Sequence, residues 1–365
     1  MKKIMCTVLL CALLAPSMAF ALEEAAAVFQ QGTLPSLKEL YAPYFDFGSA
    51  VKLSGVRSGG LMDLFLSQFN IVTHENELKP EAVLDVASSR RLAQDDQTAV
   101  AINIDKAKPL LDLARQHGIK VHGHVLVWHS QTPEVFFREG YTPSGGFVAR
   151  DIMLARLDNY IRLVFEQTGR DYPGIIVSWD VVNEAIGDAA GEMRQSLWTQ
   201  VIGDDFVLEA FRIARKYAPK DVMLYYNDYS TPYEPKLTGI LRLLEKLKAE
   251  GNIDGCGFQC HYQMGTPSIN QIKNAMDKVI ALGFPLRISE MDILVNDNSE
   301  NSLRRQAIRY GEIFDVFRKY KDHIVAVHTW GIRDDLSWKA QHYPLLFDKN
   351  NQPKPAFFAI TDLPI

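Results

Sequence analysis

Short runs of β-branched and aromatic residues alternate along this chain with longer stretches whose apolar residues recur every three or four positions. The runs predict strands at residues 44–51, 69–73, 120–127, 175–183, 222–227, 255–261, 286–291 and 325–330. Between them the period changes to that of an amphipathic helix. The segment 105–117 is stopped by Gly118, and in 302–320 the residues Leu303, Ala307, Tyr310, Phe314 and Phe317 fall on one face. After the N-terminal segment no low-complexity tract, Pro/Ser-rich linker or heptad run marks a second module.

Strand signals that are each followed by a helix signal fit an α/β architecture, a closed parallel (β/α)8 or TIM barrel in one domain. An open doubly wound sheet predicts a Gly-rich phosphate loop after its first strand, and residues 51–60 contain no G-x-G-x-x-G. In a barrel, reactive groups gather at the C-terminal ends of the strands. The polar residues at those ends are His74-Glu75-Asn76, His124, Trp128-His129, Asn183-Glu184, Asn227-Asp228, Gln259 with His261, Glu290 with Asp292, and Trp330. They predict a single polar cleft.

Two of these ends carry a glutamate. Ser178-Trp179-Asp180-Val181-Val182-Asn183-Glu184 closes the fourth strand, and Ile288-Ser289-Glu290-Met291-Asp292 closes the seventh. Glycoside hydrolysis needs two carboxyl groups, one to protonate the leaving oxygen and one to attack the anomeric carbon or activate water. A lone glutamate is ordinarily a surface carboxylate. A pair at the mouth of one barrel supplies the parts of a glycosidase site.

The segments W-D-V-V-N-E and I-S-E-M-D, with those quoted below, resemble glycoside hydrolase family 10, the xylanase family of the barrel clan whose catalytic glutamates end strands four and seven. The resemblance runs from about Phe45 to Phe358. It implies a retaining endo-β-1,4-xylanase acting on xylan and xylo-oligosaccharides, with Glu184 as acid/base, Glu290 as nucleophile, and neither cofactor nor metal. In a retaining site the carboxyl groups lie about 5–5.5 Å apart. Ionised Glu290 would then keep Glu184 protonated until the sugar is bound covalently, after which Glu184 ionises and serves as base. Asn183 resembles the residue that hydrogen-bonds the sugar 2-hydroxyl; its ordinary alternative is to cap the next helix. His261 is similar to the histidine that bonds the nucleophile, and Asp292 to the partner that orients it.

Val72-Thr73-His74-Glu75-Asn76-Glu77-Leu78-Lys79 resembles the family's F-T-x-E-N-x-M-K, which implies that Glu75, Asn76 and Lys79 hold xylose hydroxyls before the cleavage point. Gly123 to Gln131 resembles R-G-H-T-L-V-W-H-S-Q, with His122 where the family has arginine. His124 and Trp128 are the implied walls of the −1 subsite, and His129 is read as structural. Val327 to Trp338 resembles the eighth-strand signature, whose tryptophans, here Trp330 and Trp338, pack over the −1 sugar. Indole faces suit sugar C–H surfaces, although core packing is the default for a lone tryptophan. Asn227, Tyr229 and Gln259 complete the polar lining by the same analogy. Two other readings stand beside this one, another β-1,4-glycanase of the clan and a sugar-binding barrel without catalysis. The set Glu75-Asn76-Lys79 with His124 favours xylan, and the presence of both glutamates argues against the non-catalytic barrel.

Composition changes the picture mainly at the N-terminus. With 365 residues, 47% of them hydrophobic, the chain can build one substantial core. A net charge of −5 and a pI near 6.0 leave no basic stripe, so nucleic acid is not an expected partner. Met1-Lys2-Lys3, an apolar run over 4–14 and Ala19-Phe20-Ala21 predict a signal peptide over 1–21, leaving 22–365 as the catalytic barrel. The run is shorter than the about 20 residues that span a bilayer. A secreted or periplasmic bacterial monomer without a membrane anchor is therefore expected. A lipoprotein reading through Cys11 is weakened by Leu10, which is too large for that position. Cys256 and Cys260, read as lying on one extended strand, would sit too far apart for a disulfide. With His261 alone they lack a fourth zinc ligand, and no H-E-x-x-H occurs.

Overall fold

The computed structural model describes residues 34–56 and 60–361, so the expected signal peptide lies outside the described residues. The main strands are β1 (Asp46–Val51), β2 (Ile71–His74), β3 (Lys120–Gly123), β4 (Ile176–Asn183), β5 (Met223–Asp228), β6 (Gly255–Phe258), β7 (Leu286–Leu294) and β8 (Ile324–Thr329). Each pairs in parallel with the next, and β1 returns to β8 through the register Asp46↔Ala326 to Ser49↔Thr329. The sheet is therefore a closed barrel, as the alternating pattern predicts.

A helix follows each strand and covers the outer face: Leu61–Gln68, Lys108–His117, Arg150–Asp171, Phe206–Tyr217, Lys236–Glu250, Ile269–Ala281, Glu300–Lys319 and Pro355–Thr361. Helices outside and packed side chains within bury the strands on both faces, and β7 is buried along all but its last residue. On Glu300–Lys319, Ala307, Tyr310, Phe314 and Phe317 are buried, as their spacing requires, while Leu303 is half-buried. Gly118 adopts φ 65° and ends its helix in the left-handed conformation that glycine allows. At the base of the barrel, Tyr41 Oη donates to Ile360 O at 2.6 Å and so joins the segment before β1 to the last helix.

The strand ends depart from the expected boundaries in an informative way. The third strand stops at Gly123 rather than 127, and Val127–Trp128 pairs separately with the end of β4. The sixth stops at Phe258. Cys260 then turns through φ 60°, and His261–Gln263 resumes alongside β7 with His261 opposite Asp292. Cys256 and Cys260 thus do not share one extended strand; both are free and buried. At the mouth the backbone leaves the barrel wall to aim side chains into the cleft, and the two-residue period of the sequence does not register such turns.

Candidate active site

Glu184 follows the last residue of β4 at φ 58°. This conformation costs a non-glycine residue about 1–2 kcal/mol and persists only where the surroundings hold it. Its backbone N–H donates to Asn227 O at 2.9 Å, and its carbonyl accepts from Arg194 Nε at 2.8 Å. The carboxylate accepts from Trp128 Nε1 at 3.0 Å, Gln259 Nε2 at 2.8 Å and, more loosely, Asn183 Nδ2 at 3.3 Å. His129 Nδ1 lies 3.9 Å from the same group, and burial lowers the pKa of this imidazole. His129, read from the sequence as structural, thus borders Glu184.

Glu290 lies within β7 and is almost fully buried. Its Oε1 accepts from Asn227 Nδ2 at 2.9 Å, and its Oε2 lies 3.1 Å from His261 Nε2. The other ring nitrogen of His261 is 2.9 Å from Asp292 Oδ2. Burial disfavours charge on His261, but Asp292 and then Glu290 outweigh it and raise its pKa to about 10. The imidazole is therefore a cation at neutral pH and donates to both carboxylates. Asn183 Oδ1 accepts from Asn227 Nδ2 at 3.0 Å and from Gln259 Nε2 at 3.1 Å, linking the surroundings of the two glutamates. The sequence-predicted set Glu184, Glu290, Asn183, Asn227, Gln259, His261 and Asp292 thus forms one connected network.

The walls assemble beside it. Lys79 is buried, with Nζ 5.0 Å and 5.9 Å from the rings of Trp128 and Trp330. It donates to Asn76 Oδ1 at 3.1 Å and Gln131 Oε1 at 2.8 Å. Burial lowers its pKa, while Glu290, Glu75 and Glu184 pull the other way. Glu75 pairs with Lys52 at 3.0 Å. Trp330 is nearly buried, with its ring 5.3 Å from that of His124, whereas Trp338 is 50% exposed and lies 4.9 Å from His261. Tyr229 stands apart from the glutamate network, donating to Asp188 Oδ2 at 2.5 Å and accepting from Arg194 at 2.8 Å.

Beneath His124 lies a buried charge cluster. Asp180 Oδ2 is 2.9 Å from His124 Nδ1 and 3.0 Å from His122 Nε2. Burial pushes the Asp180 pKa up, but the two histidines overcome it and hold the carboxyl well below the usual range. Burial and the charge of Arg287 pull His122 down to about 4, so it is neutral. The cation missing from position 122 is present on β7: Arg287 is fully buried, bonds His328 Nε2, and lies within the electrostatic reach of Asp180. Sequence reading missed Gln131, Asp180, Arg194 and Arg287. Their contacts cross between loops and strands, and only two quoted segments carried a signal for any of them: W-D-V-V-N-E, which contains Asp180, and the third-strand motif that ends at Gln131.

The profile of glycosyl hydrolase family 10 matches residues 36–363. The chain belongs to glycosyl hydrolase family 10. It is 37% identical over 351 residues to endo-1,4-β-xylanase Y of Acetivibrio thermocellus, covering 90% of this chain and 32% of that protein. Identity to an endo-1,4-β-xylanase of Geobacillus stearothermophilus is 33% over 350 residues, covering 91% and 99%. Among solved structures, the CBM22-1–GH10 modules of Clostridium thermocellum xylanase 10B, complexed with xylohexaose, superpose with a TM-score of 0.84 at 35% identity, covering 90% of this chain and 67% of that one. The chain spans between 32% and 52% of the length of the first curated relatives it matches.

Proposed function

We propose that this family 10 protein is an endo-β-1,4-xylanase that hydrolyses internal xylosidic bonds with retention, Glu184 acting as acid/base and Glu290 as nucleophile. The observation that carries the assignment is the unequal treatment of the two carboxyl groups. Glu290 accepts from a cationic imidazole and an amide. Glu184 is met by uncharged donors, the indole of Trp128 and the amides of Gln259 and Asn183.

The steps follow from that asymmetry. Glu184 gives its proton to the leaving glycosidic oxygen while Glu290 attacks the anomeric carbon and forms a glycosyl ester. Glu184, left as a carboxylate by that transfer and no longer facing a charged Glu290, takes a proton from the incoming water. Attack by water at the same carbon breaks the ester and restores the original anomer. Asn183 lies between the two carboxyl groups, in reach of a sugar 2-hydroxyl, and the Trp128, Trp330 and Trp338 indoles suit the apolar faces of a pyranose. Lys79, Asn76 and Glu75 supply donors and acceptors for further hydroxyls.

The names of the two relatives described above, both endo-1,4-β-xylanases, and the xylohexaose bound in one solved structure support xylan as substrate. The basic-apolar-small order at the N-terminus supports export to the periplasm or beyond. A reducing-sugar assay with product sizing on glucuronoxylan, arabinoxylan, cellulose and mannan tests substrate and endo action together. Intermediate-length xylo-oligosaccharides should appear first. Cellulose or mannan as the preferred polymer, or release of end units alone, would overturn the reading.

A further inference from the structure

The backbone on either side of Glu184 is held from two directions. On the donor side, Glu184 N–H reaches Asn227 O at 2.9 Å, and the N–H groups of Ala185 and Ile186 both reach Tyr226 Oη, at 3.1 Å and 3.2 Å. On the acceptor side one residue does the work of three. Arg194 Nε donates to Glu184 O at 2.8 Å, its backbone N–H to Ala185 O at 2.7 Å, and its Nη2 to Ile186 O at 3.3 Å. Three successive carbonyls thus accept from a single arginine, in a stretch whose φ at Glu184 is left-handed.

The arginine is itself held. Its Nη2 donates to Tyr229 Oη at 2.8 Å, Tyr229 donates to Asp188, and Asp188 Oδ1 takes Lys236 Nζ at 2.8 Å. Lys236 also pairs with buried Asp228 at 2.9 Å, which in turn accepts from Tyr226 Oη, the acceptor for residues 185 and 186. A ring of contacts therefore closes around the Glu184 backbone. The hydrogen bonds of Arg194 go to backbone carbonyls and to Tyr229.

We infer that Arg194 is a positioning residue for the acid/base: it fixes the backbone that aims the Glu184 carboxyl at the leaving oxygen. The inference rests on the assignment of Glu184 as proton donor. Glu290 takes its support from Asn227 and His261, on other strands, so loss of Arg194 leaves nucleophilic attack largely in place and weakens proton donation. The defect should therefore depend on how much protonation the leaving group needs.

The experiment compares Arg194→Met, Arg194→Lys and Glu184→Ala on aryl xylobiosides bearing phenol or 2,4-dinitrophenol, reading kcat/KM for each. Removing a general acid costs about 10²–10⁴-fold where protonation is needed, so Glu184→Ala should fall that far on the phenyl substrate and far less on the dinitrophenyl one. A misplaced acid loses up to about 10²-fold, so Arg194→Met should fall about 10- to 100-fold on the phenyl substrate and under about threefold on the dinitrophenyl one. Arg194→Lys should lie between Arg194→Met and the native enzyme, and it reads the same split where Arg194→Met does not fold. Equal losses on both substrates in the Arg194 variants, or no loss, with Glu184→Ala behaving as stated, would overturn the positioning role alone. Absence of leaving-group dependence in Glu184→Ala would instead remove the acid assignment, and the inference with it.

Discussion

The indole N–H of Trp338 donates to Asp292 Oδ2 at 2.8 Å, the same oxygen that faces His261 Nδ1 at 2.9 Å. Two donors share one acceptor, so the most exposed aromatic wall of the cleft is bonded to the residue that orients the nucleophile's histidine. Substituting Trp338 by phenylalanine keeps a ring but removes the donor. Asp292 then becomes more basic and draws the His261 proton toward itself, weakening the bond from the imidazolium to Glu290. The acidic limb of kcat/KM should move to higher pH by about 0.3–1 unit. A limb that stays in place in Trp338→Phe would reduce Trp338 to a sugar platform.

His261 also links pH to stability. Its folded pKa, about 10, lies above its ordinary 6.5. A raised pKa means the folded state holds the proton more tightly. The stabilisation is therefore complete below about pH 6.5 and is lost progressively as pH rises toward 10. Urea midpoints of the native protein and His261→Gln, measured from pH 6 to 10, should converge with rising pH. Parallel curves would show that the imidazolium contributes nothing to stability.

Glu290→Gln keeps the shape of the nucleophile and removes its charge. Turnover should fall by about four orders of magnitude or more on xylan and on aryl xylosides alike, because both need the covalent step. Near-native activity would remove Glu290 from that role. Proton NMR during the first minutes of xylo-oligosaccharide hydrolysis should show the β anomer first, and an α product would refute retention.

The Arg287–Asp180 arrangement makes a separate claim about the core. Arg287 is buried and bonds His328, so Arg287→Met leaves that imidazole without its partner and should destabilise by about 1–3 kcal/mol in denaturant titrations. His122→Arg alone brings a second guanidinium beside the first and should also destabilise. The double variant His122→Arg, Arg287→His moves the cation back to β3 and should recover part of either loss. Strict additivity of the two single effects would show that the positions are independent.

The sequence made the chemistry legible where a motif is contiguous. Asn183 ends β4 with Glu184 next to it, and Glu290 and Asp292 lie two residues apart within β7, so both carboxylates fall in strand segments that the hydrophobic pattern itself marks. His129 lies 3.9 Å from Glu184, a proximity that spacing along the chain does not encode. Arg194 lies ten positions beyond Glu184 and meets it only after the chain doubles back, with Ile186 opposite Met193. Arg287 answers a substitution on a strand across the barrel, and no local pattern joins it to His122. The break at Cys260 was hidden for a similar reason, since one left-handed residue leaves no periodic trace.

The bond from Tyr41 to Ile360 fixes both ends of the described chain at the base of the barrel, opposite the strand ends that carry the glutamates. Neither described end reaches the mouth of the barrel. Relatives several times longer attach more sequence to a domain of this kind. In this chain the cleft is thus framed by the strand ends and the loops that follow them, and by neither described terminus.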